Sequence, residues 1–240
     1  MNSHATTNRP PAPPLTLRGY LFIQLRFVLF FLLLAAIVFG SAGRVDLPAV
    51  WAYLIIFLVV AVVNAFLIWQ RDPTLIQERL QPGPGGKDPH LRKLGMVFLL
   101  GHWVVAGLDI GRYRWTGDIP AAAQIAGLAT ILAAFSLSCW AMSVNRFFSS
   151  DARIQRERGH QVITSGPYQF IRHPGYAAAI LMTLASPVAL GSWPAALVIL
   201  PFVPLIFRRL LLEERLLLEE LEGYGAYAAR VRYRLFPGVW

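Results

Sequence analysis

The stretch LRFVLFFLLLAAIVFG, residues 25–40, decides the class of fold, because it contains one charged side chain, Arg26. A helix that crosses the hydrocarbon core of a bilayer needs about 20 mostly apolar residues, and this stretch belongs to an apolar segment of about that length, Gly19–Gly40. The segment is longer than the apolar part of a signal peptide, and the proline-rich sequence RPPAPP precedes it. We therefore predict a membrane-spanning helix rather than a cleaved leader.

Further apolar stretches predict additional membrane helices. Three are long enough to cross a bilayer: Pro48–Trp69, Leu94–Ile110 and Ile119–Met142. Two shorter stretches, Ala177–Leu190 and Trp193–Phe207, are separated by Gly191-Ser192, and we interpret them as the arms of a helical hairpin. Pro201 and Pro204 should kink the second arm. The predicted fold is an all-α integral membrane protein with four N-terminal transmembrane helices and a C-terminal helical hairpin.

The composition excludes a water-soluble globular domain. Apolar residues (AVILMFWYC) make up 56% of the chain and charged residues 15%, whereas soluble domains carry about 25% charged residues. The mean hydropathy of +0.51 also excludes intrinsic disorder of the whole chain. The single cysteine, Cys139, excludes a disulfide framework and a multi-cysteine metal centre, and the sequence has no metal-spaced His/Cys cluster. We therefore predict no metal site.

The basic residues are distributed unevenly between the two sides of the predicted helices. Lys and Arg outnumber Asp and Glu by 22 to 13, a formal charge of +9. If the N-terminus is cytoplasmic, 18 of the 22 basic residues lie in segments on that side, and Arg44, Arg112 and Arg114 lie outside. This asymmetry predicts a multi-pass protein with both termini in the cytoplasm. We interpret the charge as a contact with anionic membrane lipid rather than with nucleic acid.

The sequence divides into three regions. Met1–Pro14 is predicted to be a disordered tail, and residues 15–144 hold the four transmembrane helices, with a flexible connector at QPGPGGKDPH. Residues 145–240 contain the hairpin and the two most polar segments, Asn145–Pro174 and Arg208–Trp240. The candidate functional residues therefore lie in residues 145–240.

The run TSGPYQFIRHPGY, residues 164–176, is the first candidate functional motif. His173-Pro174 forces His173 out of the helical conformation just before the hairpin, which holds its imidazole at the membrane surface. Tyr176 lies one turn into the first arm. A plainer interpretation is an interfacial anchor of Arg172, Tyr168 and Tyr176, and the spacing alone favours neither.

The second candidate motif follows the hairpin, in RRLLLEERL. Arg208 and Arg209 stand at the exit from the membrane, Glu213 and Glu214 follow one turn later, and Arg209 and Glu213 are i, i+4 neighbours. These residues suit a ligand that carries both a positive and a negative group, because charges close to lipid are costly unless they pair or bind something. The alternative is a cytoplasmic amphipathic helix with surface ion pairs, each worth at most about 1 kcal/mol.

Together the motifs resemble the isoprenylcysteine carboxyl methyltransferase family of integral membrane methyltransferases. The matching residues are GHQVITSGPYQFIRHPGY, the Arg209 and Glu213-Glu214 group, and the ending LEGYGAYAARVRYRLFPGVW. The resemblance covers residues 145–240, and the four upstream helices agree in number and hydropathy only. The combination of these motifs is specific, although no single one of them is.

The resemblance implies a methyltransferase that uses S-adenosylmethionine, has no Rossmann domain and holds the cofactor at the cytoplasmic ends of the last helices, within residues 145–240. The implied cofactor contacts are Gln155, His160, Gln161, Val162, Ile163, Tyr168, His173, Pro174, Gly175 and Tyr176. Glu214 would hold the amino-acid part of the cofactor, and Arg209 would face the substrate. Arg208 and Glu213 complete the catalytic group, since a shift of one residue in the match would exchange the roles of neighbours.

The implied acceptor is a lipophilic small molecule or a lipidated chain that enters from the bilayer. A carboxylate acceptor is already ionised and needs no general base, whereas a thiol or an amine needs one. The only candidates for a base are His160, His173 and a carboxylate. This favours carboxyl methylation, as in the named family, and leaves a lipid, a quinone precursor, a thiol or a small carboxylate open as the acceptor.

Two other functions are compatible with the sequence. Membrane sterol- or enoyl-type reductases have a similar C-terminal arrangement and bind NADPH, so binding of the two cofactors would separate the enzyme classes. The second alternative is a non-enzymatic membrane scaffold whose basic ends hold anionic lipid. Upstream, His102 and Asp109 lie seven residues apart on one face of the third helix, and we expect Asp109 to pair with Arg112.

Overall fold

The computed structural model describes residues 17–71, 89–149 and 151–240, and within these ranges it contains helices and no β-strand. The predicted tail at Met1–Pro14 and most of the predicted connector lie outside the described residues. The eight α-helices described are α1 Leu17–Ala42, α2 Pro48–Arg71, α3 Pro89–Gly107, α4 Ala121–Val144, α5 Pro174–Leu190, α6 Trp193–Ile199, α7 Phe202–Glu220 and α8 Tyr224–Arg230. A π-helical turn, Leu108–Tyr113, continues α3, and two 3₁₀ turns, Arg156–Arg158 and Gly166–Gln169, lie between α4 and α5.

Five helical stretches are long and apolar enough to cross a membrane: Leu17–Ala42, Pro48–Gln70, Lys93–Tyr113, Ala121–Val144 and Trp193–Glu220. They confirm the prediction of an all-helical, multi-pass membrane protein. Their outer surfaces are apolar, as Leu32 and Leu33 on α1 show with 54% and 52% exposure. Exposed apolar surface on this scale is the surface that lipid covers.

The predicted C-terminal hairpin is present, but its second arm is longer than predicted. Gly191 ends α5 in the left-handed conformation at φ +78°, and the Ser192 hydroxyl caps α6 by accepting a bond from the Ala195 backbone N–H at 3.3 Å. The helix is interrupted at Leu200-Pro201, as the proline predicts.

The predicted end of that arm at Phe207 is wrong, because α7 continues through it to Glu220. Pro204 lies in the first turn of α7, where the missing N–H of a proline removes no helical hydrogen bond. Beyond Phe207, Leu210 and Leu216 remain buried together with Glu214, while Arg208, Arg215 and Glu219 are exposed. Amphipathicity therefore carries the helix past the point where its hydropathy falls.

The hairpin packs closely against α4 through small residues. A Cβ atom on Gly127 of α4 would lie 2.6 Å from the Ala189 backbone nitrogen of α5, so only glycine fits at this crossing. Small residues at such contacts let the backbones of membrane helices approach. The contact fixes α5, which carries several of the candidate site residues at its N-terminal end.

At the end of the helix bundle away from the candidate site residues, hydrogen bonds replace the expected ion pair between Asp109 and Arg112. The Asp109 carboxylate accepts bonds from the Thr116 backbone N–H at 2.9 Å and from the Ser192 hydroxyl at 2.6 Å. Arg112 instead donates to the Gly40 and Ser41 carbonyls. The expected pairing of Asp109 with Arg112 is therefore wrong, because the π-helical turn directs the two side chains to different neighbours.

The C-terminal segment fastens the RHPGY motif to the body of the protein. The backbone N–H groups of Arg172 and His173 donate to the Tyr233 and Arg234 carbonyls, each at 2.9 Å. The Arg172 guanidinium donates to the Val231 carbonyl at 2.9 Å. These bonds hold the segment before α5 rigidly against the chain that follows α8.

Candidate active site

A cavity of about 570 Å³ extends from the segment between α4 and α5 into the helix bundle. Its polar end is lined by the candidate residues of that segment and of the adjoining ends of α5 and α7. Its membrane end is lined mainly by apolar side chains of α2–α7, among them Phe57, Leu99, Phe135, Met182 and Phe202. One continuous space therefore joins a charged site to an apolar chamber.

At the polar end, Tyr176 joins Arg209 and Glu213. The Tyr176 hydroxyl donates to Glu213 Oε2 at 2.6 Å and accepts a bond from Arg209 Nε at 3.2 Å. Tyr176 lies one turn into α5, and the other two residues lie one turn apart on α7, so the hairpin itself assembles the group. All three line the cavity. The arrangement presents an anionic and a cationic group side by side to any ligand there.

Glu214 has a different environment from Glu213. Its carboxylate pairs with the Arg172 guanidinium at 2.9 Å, contacts His173 Nε2 and accepts a bond from the Tyr224 hydroxyl at 3.1 Å. It is buried, and it is absent from the cavity lining. The structure thus brings His173 and Glu214 together, with His173 in the cavity wall and Glu214 behind it.

The segment after α4 places a neutral imidazole in the cavity wall. The His160 ring stacks on Phe147 with the ring centres 4.4 Å apart, and its Nδ1 accepts a bond from the Gln155 backbone N–H at 3.2 Å. Burial, reinforced by the nearby Arg153 guanidinium, lowers the pKa of His160 to about 4. His160 is therefore uncharged at neutral pH.

Gly175 and Tyr168 complete the wall on the α5 side. A Cβ atom on Gly175 would lie 2.8 Å from the Phe148 ring, so glycine allows this ring to lie against the start of α5. The Tyr168 hydroxyl accepts a bond from Asn145 Nδ2 at 2.9 Å. His173, with φ −127°, precedes Pro174 at the first turn of α5, as the sequence predicts.

The structure separates the candidate residues into two groups. The cavity is lined by His160, Gln161, Val162, Ile163, Tyr168, His173, Gly175, Tyr176, Arg209 and Glu213. Four others are not in its lining: Gln155, Pro174, Arg208 and Glu214. Gln155 is fully buried and donates to the Phe147 carbonyl at 2.7 Å, while Arg208 is exposed.

Several residues that line the polar end were not among the candidates. Arg153 and Asn145 precede the polar run, and Tyr224 and Tyr227 belong to α8. The two tyrosines lie in the GYGAY segment that contributed to the resemblance, which is the signal that could have identified them. Arg153 is buried and pairs with Glu157 at 2.7 Å. Several charged residues surround it in the sequence, so the sequence alone does not distinguish it from its neighbours.

The family model described as "Isoprenylcysteine carboxyl methyltransferase (ICMT) family" matches residues 126–219. Residues 126–219 are therefore similar to the ICMT family. The match confirms the resemblance and includes every candidate site residue, although it begins within α4 and ends before the GYGAY segment. A search of curated proteins finds no match. Similarity to this family together with five apolar helices is typical of a membrane methyltransferase.

Proposed function

We propose that the protein transfers a methyl group from S-adenosylmethionine to the carboxylate of a lipophilic acceptor. The observation that carries the proposal is the continuity of the cavity, in which Tyr176, Arg209 and Glu213 share one space with apolar side chains inside the helix bundle. A soluble substrate would need no apolar chamber, and a lipid-binding scaffold would need no paired charges at its mouth.

The residues at the polar end fit the chemistry of S-adenosylmethionine. Glu213 suits the ammonium group of its amino-acid part, since a carboxylate forms strong charge-assisted hydrogen bonds with ammonium groups. Of the two adjacent carboxylates, Glu213 is favoured over Glu214, because Glu214 already has Arg172 and His173 as partners and does not line the cavity. Nearby aromatic rings suit an adenine ring or a sulfonium cation: Phe147, Phe148, Tyr168 and Tyr224. When bound, the cofactor supplies an electrophilic methyl group.

Arg209 is proposed to hold the acceptor. Its guanidinium offers several N–H donors in a fixed plane and can bind a carboxylate through two parallel bonds. The bond from Arg209 Nε to Tyr176 fixes the side chain before the acceptor arrives. An ionised carboxylate needs no base, so the chain has only to align it and exclude water, and alignment of reactants can contribute about 7–11 kcal/mol.

The acceptor's apolar part is proposed to occupy the membrane end. Phe57, Leu99, Phe135 and Met182 line it without a charged neighbour among them. The distribution of basic residues supports the proposal that the polar end, and with it both termini, faces the cytoplasm. The acceptor is then a membrane lipid or a lipidated chain whose carboxylate reaches the inner surface of the bilayer.

The test uses the full-length protein in lipid nanodiscs with a membrane lipid extract and methyl-labelled S-adenosylmethionine. We expect label in a lipid product that alkali releases as methanol, as a methyl ester requires. Glu213→Gln should weaken binding of S-adenosylhomocysteine at least about tenfold, whereas Glu219→Gln, an exposed change on the same helix, should not. Alkali-stable label would exclude the carboxylate acceptor. Binding of NADPH without binding of S-adenosylhomocysteine would exclude the methyltransferase.

A further inference from the structure

The membrane end of the cavity contains a chain of hydrogen bonds among polar side chains from three helices. The Tyr53 and Ser186 hydroxyl oxygens are 2.7 Å apart, and Ser186 Oγ lies 2.8 Å from His102 Nε2. His102 Nδ1 lies 3.1 Å from the Ala195 carbonyl oxygen, and Trp103 Nε1 donates to the Tyr53 oxygen at 3.2 Å. Tyr53, His102 and Ser186 all line the cavity.

We propose that this hydrogen-bonded group of side chains binds a hydroxyl group on the apolar part of the acceptor. The cavity would then recognise a lipophilic molecule that is polar at both ends. The proposal rests on the proposed function, because that function places an acceptor in the cavity with its carboxylate at Arg209. It adds a second point of recognition, at Ser186 and Tyr53, that sets which lipophilic molecules are methylated.

The Ala195 carbonyl and the neutral His102 imidazole fix which atom donates in each hydrogen bond of this group. A carbonyl oxygen can only accept, so His102 Nδ1 must carry the proton that faces Ala195. Both neighbours of His102 are neutral and the site is buried, so the imidazole is neutral and its Nε2 accepts the proton of the Ser186 hydroxyl. The Ser186 oxygen then accepts the proton of Tyr53, which accepts that of Trp103.

This direction determines the chemistry that the site can recognise. Every side-chain N–H and O–H of this hydrogen-bonded group already donates to a neighbour within it. The Tyr53 and Ser186 oxygens can therefore offer a ligand only their lone pairs, as acceptors. A ligand hydroxyl can donate to one of them. A ketone or an ether, which only accepts, gains nothing and would leave its own oxygen without a partner in an apolar chamber. The site should therefore discriminate between a hydroxyl and an ether.

The length of α5 sets the spacing of the two recognised groups. Tyr176 marks the polar end and Ser186 the membrane end, and they are ten residues apart on one helix. At 1.5 Å per residue this separation is about 15 Å. Carbon–carbon bonds of about 1.5 Å advance about 1.25 Å each along an extended zigzag chain, so a saturated chain of about twelve carbons spans it.

The test compares three straight-chain carboxylates of that length, which end in a methyl group, a hydroxyl group or a methyl ether. Their binding to the full-length protein in nanodiscs is measured by calorimetry, with empty nanodiscs as the control for partitioning. We expect the hydroxy acid to bind about three- to tenfold more tightly than the other two. Ser186→Ala should remove this preference. Thr183→Val, which deletes a cavity hydroxyl one turn away, should keep it.

Each outcome bears on one of the two proposals. Equal binding of the hydroxy acid and the methyl-terminated acid overturns the hydroxyl site, and so does a preference that survives Ser186→Ala or disappears in Thr183→Val. If the hydroxy acid is preferred but receives no labelled methyl group, the proposed function fails and the hydroxyl site stands. If none of the three acids binds, both proposals are wrong. The comparison within the wild-type protein needs no variant to fold.

Discussion

Glu213 and Glu214 are adjacent on α7, yet their side chains have different surroundings. Successive residues on an α-helix point about 100° apart. Glu213 therefore reaches Tyr176 and lines the cavity, whereas Glu214 lies outside the lining and reaches Arg172 and His173 from behind the cavity wall. Glu214 and Arg172 are both buried, so their charges compensate each other, and removal of Glu214 leaves the Arg172 guanidinium without its carboxylate partner.

We expect Glu214→Ala to destabilise the protein, because the Arg172 guanidinium would stay buried with its carboxylate partner gone. Breaking a buried ion pair in this way costs about 3–5 kcal/mol. The midpoint of thermal unfolding in detergent should fall clearly for Glu214→Ala. It should change little for Glu219→Ala, the exposed comparison on the same helix. Equal unfolding midpoints for the two variants would contradict the buried pair.

The low pKa of His160 predicts a loss of stability in mild acid. The folded protein holds the pKa at about 4, against 6.5 for the free side chain. Between these values the unfolded chain binds more protons than the folded one, so the free energy of unfolding falls as the pH falls from about 6.5 to 4 and is unaffected by this group above that window.

The measurement is the unfolding midpoint at a series of pH values for the wild type and for His160→Gln, which cannot take up the proton. The difference between the two curves isolates His160 from the other titrating groups. We expect the wild type to lose more stability than the variant between pH 6.5 and 4. Parallel curves would show that the imidazole titrates normally.

At this scale the sequence identifies residue types and leaves their orientation open. RHPGY and RRLLLEE indicate the residues of the site, and the proline correctly predicts the conformation of His173. Which glutamate faces the cavity depends on the rotation of α7, and that rotation is set by the packing of Leu210 with Ala177 and Ile180 of α5. Hydropathy along one segment contains no such information.

At the scale of elements, the crossing of α4 and α5 fixes the helix that carries Tyr176. Gly127 lies against the Ala189 backbone, so that this contact is made between main chains rather than between flexible side chains. The same α5 carries Tyr176 to Arg209 and Glu213. A displacement of α5 from α4 would therefore move one member of the group relative to the other two.

We expect Gly127→Ala to destabilise the protein by about 1–3 kcal/mol, since the added methyl group would overlap backbone atoms that cannot rotate away. Gly40→Ala on α1 is the matched control, because its new methyl group would meet no atom within 4 Å. Thermal unfolding of both variants in the same detergent gives the comparison. Equal stability of Gly127→Ala and Gly40→Ala would mean that the backbones of α4 and α5 are further apart than the contact between Gly127 and Ala189 requires.

Elements were predictable where hydropathy alone defines them. The four upstream spans and the hairpin turn follow from apolar length and from Gly191-Ser192. The end of α7 does not, because a helix that leaves lipid continues as long as one of its faces remains buried. The apolar stretch ends where Arg208 begins the charged residues, and the helix ends twelve residues later at Glu220.

At the scale of the whole molecule, the chain brings distant segments together at each end of the bundle. His102 and Ser186 are 84 residues apart in sequence and meet at the membrane end of the cavity. Neither residue has a neighbouring motif, and a single polar residue in a membrane helix more often makes a helix contact than a site. The membrane end could therefore be recognised only once the helices were packed.

The packing also makes a prediction about sidedness. Asp46, in the turn between α1 and α2, should lie on the same side of the membrane as Trp193. The Trp193 backbone N–H donates a hydrogen bond to the Thr116 hydroxyl, and the nearby Arg112 donates to the Ser41 carbonyl at the end of α1, so both turns lie at one end of the bundle. Glu222, beyond α7, should lie on the other side, and the basic residues near it predict that this side is the cytoplasm.

Single cysteines test this arrangement in a Cys139→Ala background. A membrane-impermeant maleimide applied to right-side-out vesicles should label Asp46→Cys and Trp193→Cys, and inverted vesicles should label Glu222→Cys. Labelling of Trp193→Cys together with Glu222→Cys would mean that the hairpin of α5 to α7 does not return across the bilayer. In that case Arg209 of α7 could not lie beside Tyr176 at the start of α5, and a lipid could not reach Arg209 with its far end at Ser186.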